Sequence, residues 1–181
     1  DDDGLLETVF RRHGRVLLCT AHLGLTMAIQ RALYERGIPL YLVGRPARAD
    51  GLHWNCPKAT PIIPSDALCL IRARRVLAQG HALLIYPDIE AECGGKRVFH
   101  IRRNLFRFAA RIRAPILFFD AGLAPDGTIV LHVARPAPGK PDPGKPDPGE
   151  PDPARDGERL AEAFCAFLRA RTGGPYHLEP L

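Results

Sequence analysis

Short apolar runs alternate with stretches of helical periodicity from the start of the chain. Residues 4–12 predict a short helix, 15–20 a strand, 23–36 a helix stopped by Gly37, and 38–43 a second strand. A loop punctuated by Pro and Gly runs from 44 to 60, and Pro61-Ile62-Ile63-Pro64 reads as a third, short strand. A helix capped by Ser65 or Asp66 then extends to Gln79 and stops at Gly80. Ala82-Leu83-Leu84-Ile85-Tyr86 is too short and too apolar for anything but a buried strand, which Pro87-Asp88 ends.

The second half repeats the alternation. Residues 97–101 predict a short strand, and between 103 and 113 Leu105, Phe108, Ala109 and Ile112 keep helical spacing, with Arg103, Arg107 and Arg111 on another face. That basic face is a candidate docking surface for an acidic carrier protein, or a solvated Arg face. Strands at 115–120 and 128–133 flank the turn Pro125-Asp126-Gly127 and form an antiparallel pair. A last helix begins at Asp152-Pro153 or Asp156, carries Leu160, Phe164, Phe167 and Leu168 on one face, and ends at Gly173-Gly174-Pro175. Strands alternating with helices of this length specify an α/β fold: a single-domain α/β/α sandwich over 1–181, its sheet largely parallel with an antiparallel edge.

One segment stands apart. Residues 139–153 read Gly-Lys-Pro-Asp-Pro twice and then Gly-Glu-Pro-Asp-Pro. Pro at two of every five positions removes backbone donors and holds the chain near polyproline II, so this insert is expected to be an exposed connector up to ~45 Å long.

Composition narrows the function classes. With 181 residues, 46% of them hydrophobic, the chain can bury one sizeable core. The 25 Lys and Arg exceed the 20 Asp and Glu by five, an excess too scattered for a nucleic-acid footprint, and no nucleic-acid recognition motif is present. Five widely spaced Cys suit a reduced, cytoplasmic protein without a disulfide framework. No metal is expected, because His53 with Cys56 and Cys93 with His100 lack a Cys-x-x-Cys pair. No run approaches the ~20 apolar residues of a transmembrane segment.

Candidate chemistry gathers at strand ends. Val16-Leu17-Leu18-Cys19 runs into Thr20-Ala21-His22-Leu23-Gly24, which places His22 at the carboxyl edge of a sheet, where open α/β folds bind ligands. A neutral imidazole there can take a proton from an attacking hydroxyl or amine, and works best beside a carboxylate. Asp88 follows the next-but-one apolar strand and is the first candidate for that carboxylate, with Glu90 and Glu92 behind it; the alternative is that all three are solvated loop acids. Arg45 follows the strand 40–43 and could hold a phosphate or an oxyanion through two parallel hydrogen bonds. Gly94-Gly95-Lys96 has no Gly five residues before Gly95 and no Ser or Thr after the Lys, so it is no phosphate loop.

The order of these pieces resembles the lipid A biosynthesis acyltransferase family, the late (secondary) enzymes that move a fatty acyl chain from acyl carrier protein onto a hydroxyl. The family's strand followed by His-x-Gly-x-x-Glu is matched by Val16 to Met27, its Arg-Pro strand end by Arg45-Pro46, its Pro-Asp strand end by Pro87-Asp88, and its Ala-Pro-Ile strand by Ala114-Pro115-Ile116. The match covers residues 13–135 and the terminal helix. The resemblance implies an acyltransferase-like fold with His22 as general base and with Arg45 and Asp88 around the acceptor pocket. Taken with the residue reading, the site expected is His22 and Asp88 as catalytic residues and Gly24, Met27, Arg45 and Glu90 as substrate-binding ones. No cofactor would be tightly bound; acyl-ACP (the acyl carrier protein thioester) or acyl-CoA would be the co-substrate. Two departures stand out: Met27 occupies the position of the family's Glu, and the family's amino-terminal membrane anchor has no counterpart.

These features lead to an enzyme that transfers an acyl group from a carrier-protein or CoA thioester to a hydroxyl or amine of a soluble small-molecule acceptor, in specialised metabolism. Met27 keeps two alternatives open. One is a pseudoenzyme that partners acyl carrier protein or another biosynthetic subunit. The other is altered chemistry in the same pocket, either hydrolysis or intramolecular cyclisation.

Overall fold

The computed structural model describes residues 4–22, 25–44, 60–93, 96–136, 152–173 and 176–178. Gly24, Arg45, the loop 45–59, Gly94-Gly95 and the insert 139–151 lie outside them. By internal packing the chain divides into two compact units, Asp1–Tyr86 with Ala114–Ala134, and Pro87–Arg113 with Arg135–Leu181.

The first unit is a six-stranded sheet with strand order β3-β2-β4-β1-β7-β8. Its members are β1 (Val16–Cys19), β2 (Leu40–Gly44), β3 (Ile62–Pro64), β4 (Ala82–Ile85), β7 (Ile116–Leu123) and β8 (Ile129–Ala134). All neighbours pair in parallel except β7 and β8, so the fold is α/β with a mostly parallel sheet and one antiparallel edge. Every residue of β1 and β4 is buried, as expected of central parallel strands covered on both faces. Three helices belong to this unit: α1 (Leu5–His13), α2 (Ala28–Glu35) and α3 (Cys69–Ala78).

Handedness places two of these helices. The crossover through α2 moves from β1 over β4 to β2, whereas the one through α3 returns from β3 over β2 to β4. Right-handed crossovers in opposite directions put their helices on opposite faces of a sheet. The core on the α2 face unites Leu6 and Val9 of α1 and Ile29 and Leu33 of α2 with Val16, Leu18, Leu84, Leu117 and Phe119 of the strands.

Helix α2 begins five residues later than the spacing of its apolar positions suggests. Residues 25–27 form a tight turn instead, with Ala28 N donating to Leu25 O, Ile29 N to Thr26 O and Gln30 N to Met27 O. The buried Thr26 hydroxyl reaches back to Ala21 O at 3.5 Å, which holds that turn against the end of β1. Periodicity cannot register such a tether, because it depends on a hydroxyl folding back five residues.

The second unit joins a three-stranded sheet, order β5-β6-β9, to two helices. Strands β5 (Asp88–Cys93) and β6 (Lys96–Ile101) form an antiparallel hairpin, and β9 (Tyr176–Leu178) pairs in parallel with β6. Residues 88–93 are therefore strand rather than loop. Their alternation Asp-Ile-Glu-Ala-Glu-Cys, followed by Gly94-Gly95, is a hairpin signal that the strand-ending Pro87 obscured.

Helices α4 (Arg103–Arg111) and α5 (Pro153–Thr172) cross very closely. A Cβ on the buried Gly157 would lie 2.5 Å from Arg107 Cα and 2.7 Å from its N, so only glycine permits this approach. Glu158 on α5 receives Arg103 Nη1 at 2.6 Å and Arg107 Nη2 at 2.6 Å. Two of the three arginines on the basic face of α4 are thus engaged by α5, while Arg111 stays exposed. Phe106 and Phe164 pack beneath them with centroids 5.5 Å apart. Asp152 caps α5 by accepting from Ala154 N at 2.9 Å, with Pro153 opening the helix and Gly173 closing it at φ 64°.

Two stability predictions come from this architecture. Gly157→Ala should gain about 1 kcal/mol of helix propensity but lose about 1–3 kcal/mol to overpacking against Arg107 backbone, so thermal unfolding should show a lower midpoint. A raised midpoint would contradict the close crossing. Burial pushes the Cys19 thiol well above its ordinary value of 9.0. The folded state therefore keeps a proton that the unfolded chain releases, and the associated stability, complete below about pH 9, is lost as pH rises beyond it. Unfolding monitored from about pH 8 to pH 10.5 should fall more steeply for the parent than for Cys19→Ala, by up to about 1.4 kcal/mol per pH unit.

Candidate functional site at the β1 and β4 strand ends

Strand order singles out one crevice. The chain leaves β1 toward β2 on one side, and it leaves β4 toward β7 on the other side of β1. Adjacent strands whose connections depart in opposite directions make a topological switch point, where open α/β sheets bind ligands beyond the strands' carboxyl ends. Here those ends carry His22 and Tyr86.

The two strand ends are held level. β1 and β4 pair Val16 with Ala82 through to Cys19 with Ile85, and Thr20 N continues the ladder to Ile85 O at 3.2 Å. The exposed His22 ring stacks on Tyr86 with centroids 4.4 Å apart and planes 26° apart. Such an aromatic pair contributes roughly 0.5–1.5 kcal/mol beyond the area it buries.

Met27, at the start of α2, faces the same group. Its Sδ accepts from the Tyr86 hydroxyl at 3.1 Å and from Gln30 Nε2 at 3.4 Å. Gln30 is buried, and its Oε1 accepts from Thr60 Oγ1 at 2.8 Å. A thioether is a weak acceptor, yet here it satisfies two donors. The polar chain from Thr60 through Gln30, Met27 and Tyr86 to His22 therefore carries no formal charge before its last member.

The other expected site residues divide as follows. Gly24 and Arg45 lie outside the described residues. Asp88 is the first residue of β5 in the second unit and is buried at 8% exposure, so it is not a solvated loop acid; Glu90, two residues on, is exposed. Among the described residues of the first unit, the buried carboxylate is Asp120 on β7, opposite His132 in the β7–β8 register. Cys19, three residues before His22, is fully buried with its thiol pushed up, which keeps it protonated and unreactive near neutral pH.

Tyr86, Gln30 and Thr60 were not singled out by sequence. Tyr86 had a usable signal, since it ends the β4 run just as His22 follows the β1 run. Gln30 and Thr60 had none, because their hydrogen bond joins residues thirty positions apart. Among the described residues, no group of three or more His, Cys, Asp or Glu could hold a metal ion, and no helix is long and apolar enough to cross a membrane. Comparison with protein-family models and with curated protein sequences gives no match.

The buried link to Gln30 is testable by itself. Thr60→Val leaves Gln30 Oε1 without its hydroxyl donor and should cost about 1–3 kcal/mol in urea unfolding. Thr60→Ser keeps the donor and should unfold close to the parent; equal loss in both variants would rule this bond out as the cause.

Proposed function

We propose that this chain is an acyltransferase-like enzyme, with His22 as general base, that moves an acyl group from a carrier-protein or CoA thioester to a hydroxyl or amine of a small molecule. The observation that carries the reading is the position of His22: an exposed imidazole at the switch point of a mostly parallel sheet, its ring plane set against Tyr86. The resemblance to lipid A acyltransferases in the order of strand ends supports the same choice.

The reaction needs few groups. His22 takes the proton of the acceptor hydroxyl or amine as that atom attacks the thioester carbonyl. The tetrahedral adduct then collapses, the carbon–sulfur bond breaks, and the departing thiolate recovers the proton from the imidazolium. Asp88 is the carboxylate this reading assigns to catalysis, on its place three residues after the end of β4. Gly24, Met27, Arg45 and Glu90 are assigned to substrate binding.

Met27 in place of the motif carboxylate favours a second reading, in which the chain binds a carrier protein or a partner subunit without turnover. Hydrolysis or intramolecular cyclisation in the same pocket is the variant of the first reading that needs no separate acceptor.

The two readings separate in one assay. Acyl-CoA or acyl carrier protein is incubated with the protein and a panel of hydroxyl and amine acceptors, and released thiol and acylated product are resolved by chromatography. Thiol release that falls about 10²-fold or more in a folded His22→Ala variant, and clearly in Asp88→Asn, supports catalysis. Release unchanged in His22→Ala removes His22 as base, and binding of carrier protein without any release by the parent supports the non-catalytic reading.

A further inference from the structure

We propose that Tyr86 is a positioning residue for His22, and that Met27 acts on the site through Tyr86 by clamping its phenol. The inference rests on the reading of His22 as the working imidazole, but the geometry that carries it is independent of any reaction. A histidine side chain has two torsions to fix, and a general base needs its ring plane held. Tyr86 supplies a flat surface at 4.4 Å, nearly parallel to the imidazole.

A surface can orient another ring only if it is itself held. Tyr86 leaves β4, whose four residues are buried and bonded to β1 and β2, so the backbone before it is fixed. Its far end is held by the hydroxyl donating to Met27 Sδ. Met27 in turn is held by Gln30, and Gln30 by Thr60 just ahead of β3. The clamp therefore draws on both ends of the β1–α2–β2–β3 segment as well as on β4.

This arrangement gives position 27 a role that differs from that of a carboxylate. A carboxylate beside an imidazole orients it and stabilises its charged form directly. A thioether cannot do the second, but it accepts the tyrosine hydroxyl without burying a charge. The electron-rich face of Tyr86, on which His22 lies, is one source of stabilisation for an imidazolium.

Met27 is the one methionine of these 181 residues, so in [methyl-13C]methionine-labelled protein the resonance lost in Met27→Leu reports the Tyr86 to Met27 contact. The His22 ring protons, assigned by their absence in His22→Ala, report the stack through the ring-current shift of Tyr86. Tyr86→Phe keeps the ring and loses the hydroxyl; Tyr86→Leu loses both; Met27→Leu keeps the volume and loses the acceptor. Amide spectra of each variant establish that it folds, and Tyr86→Phe and Met27→Leu are close in shape to the parent.

In Tyr86→Phe the methionine resonance should move while the His22 ring protons stay shifted upfield but broaden. In Tyr86→Leu the upfield shift should disappear, and Met27→Leu should reproduce the histidine broadening of Tyr86→Phe. His22 signals that superpose on the parent in Tyr86→Leu would overturn the positioning role, and sharp, unmoved His22 signals in Met27→Leu would overturn the clamp. Where the parent turns over thioester, Tyr86→Leu should lower kcat about tenfold with KM little changed, and Tyr86→Phe should retain most of it. A parent without turnover would defeat the proposed reaction, whereas the spectra would still decide the positioning.

Discussion

The parallel register between β1 and β4 is the constraint on which the rest of the first unit depends. Eight residues, Val-Leu-Leu-Cys and Ala-Leu-Leu-Ile, are all buried, and a slip of one position would turn each core-facing side chain to the opposite face. The ladder bond from Thr20 to Ile85 carries the pairing past the last strand residues, so the two chains leave the sheet at one level. His22 and Tyr86 meet because both follow strands that cannot shift. The buried Thr26 tether and the late start of α2 bring Met27 to the same place, and the clamp on the phenol is the product of these backbone positions.

The second unit is held by a different kind of contact. Gly157 lets α4 and α5 approach until backbone meets backbone, and Glu158 on the next position gathers Arg103 and Arg107 across the crossing. With 21% and 38% exposure of the two arginine side chains, this bridge is partly screened, and most of its value is in fixing the crossing rather than in net stability. Arg169 extends the same logic at the far end of α5, donating to Tyr176 O at 2.9 Å and so fastening β9 beside β6. A helix that reads as a basic docking face is in large part an internal interface.

Much of the fold was legible because its signals are local. Nearly every strand of the six-stranded sheet is a compact apolar run, and Gly37, Gly80 and Gly127 mark its turns with left-handed backbone, φ 65° to 83°. The antiparallel edge followed from Asp126-Gly127, where Asp126 accepts from Thr128 N. Strand β5 escaped because Pro87-Asp88 looks like a strand end, although the alternation after it has period two. Strand β9 escaped because three residues have no pattern of their own and form a strand only by pairing with β6. The candidate site was legible only in part: His22 stands out as a polar residue just behind a strand, whereas Gln30 and Thr60 carry no local mark.

By itself the sequence determined that this is an α/β chain with a parallel sheet, that an imidazole stands at a strand's carboxyl end, and that position 27 bears no charge. Those properties belong to periodicity, turn chemistry and residue identity, which act over a few neighbours. Only the tertiary structure decided that β1 lies between β4 and β7, which makes its end a switch point, and that the thioether of Met27 serves a tyrosine 59 residues away. Strand order and cross-chain hydrogen bonds depend on which distant surfaces bury one another, and no local pattern encodes that choice.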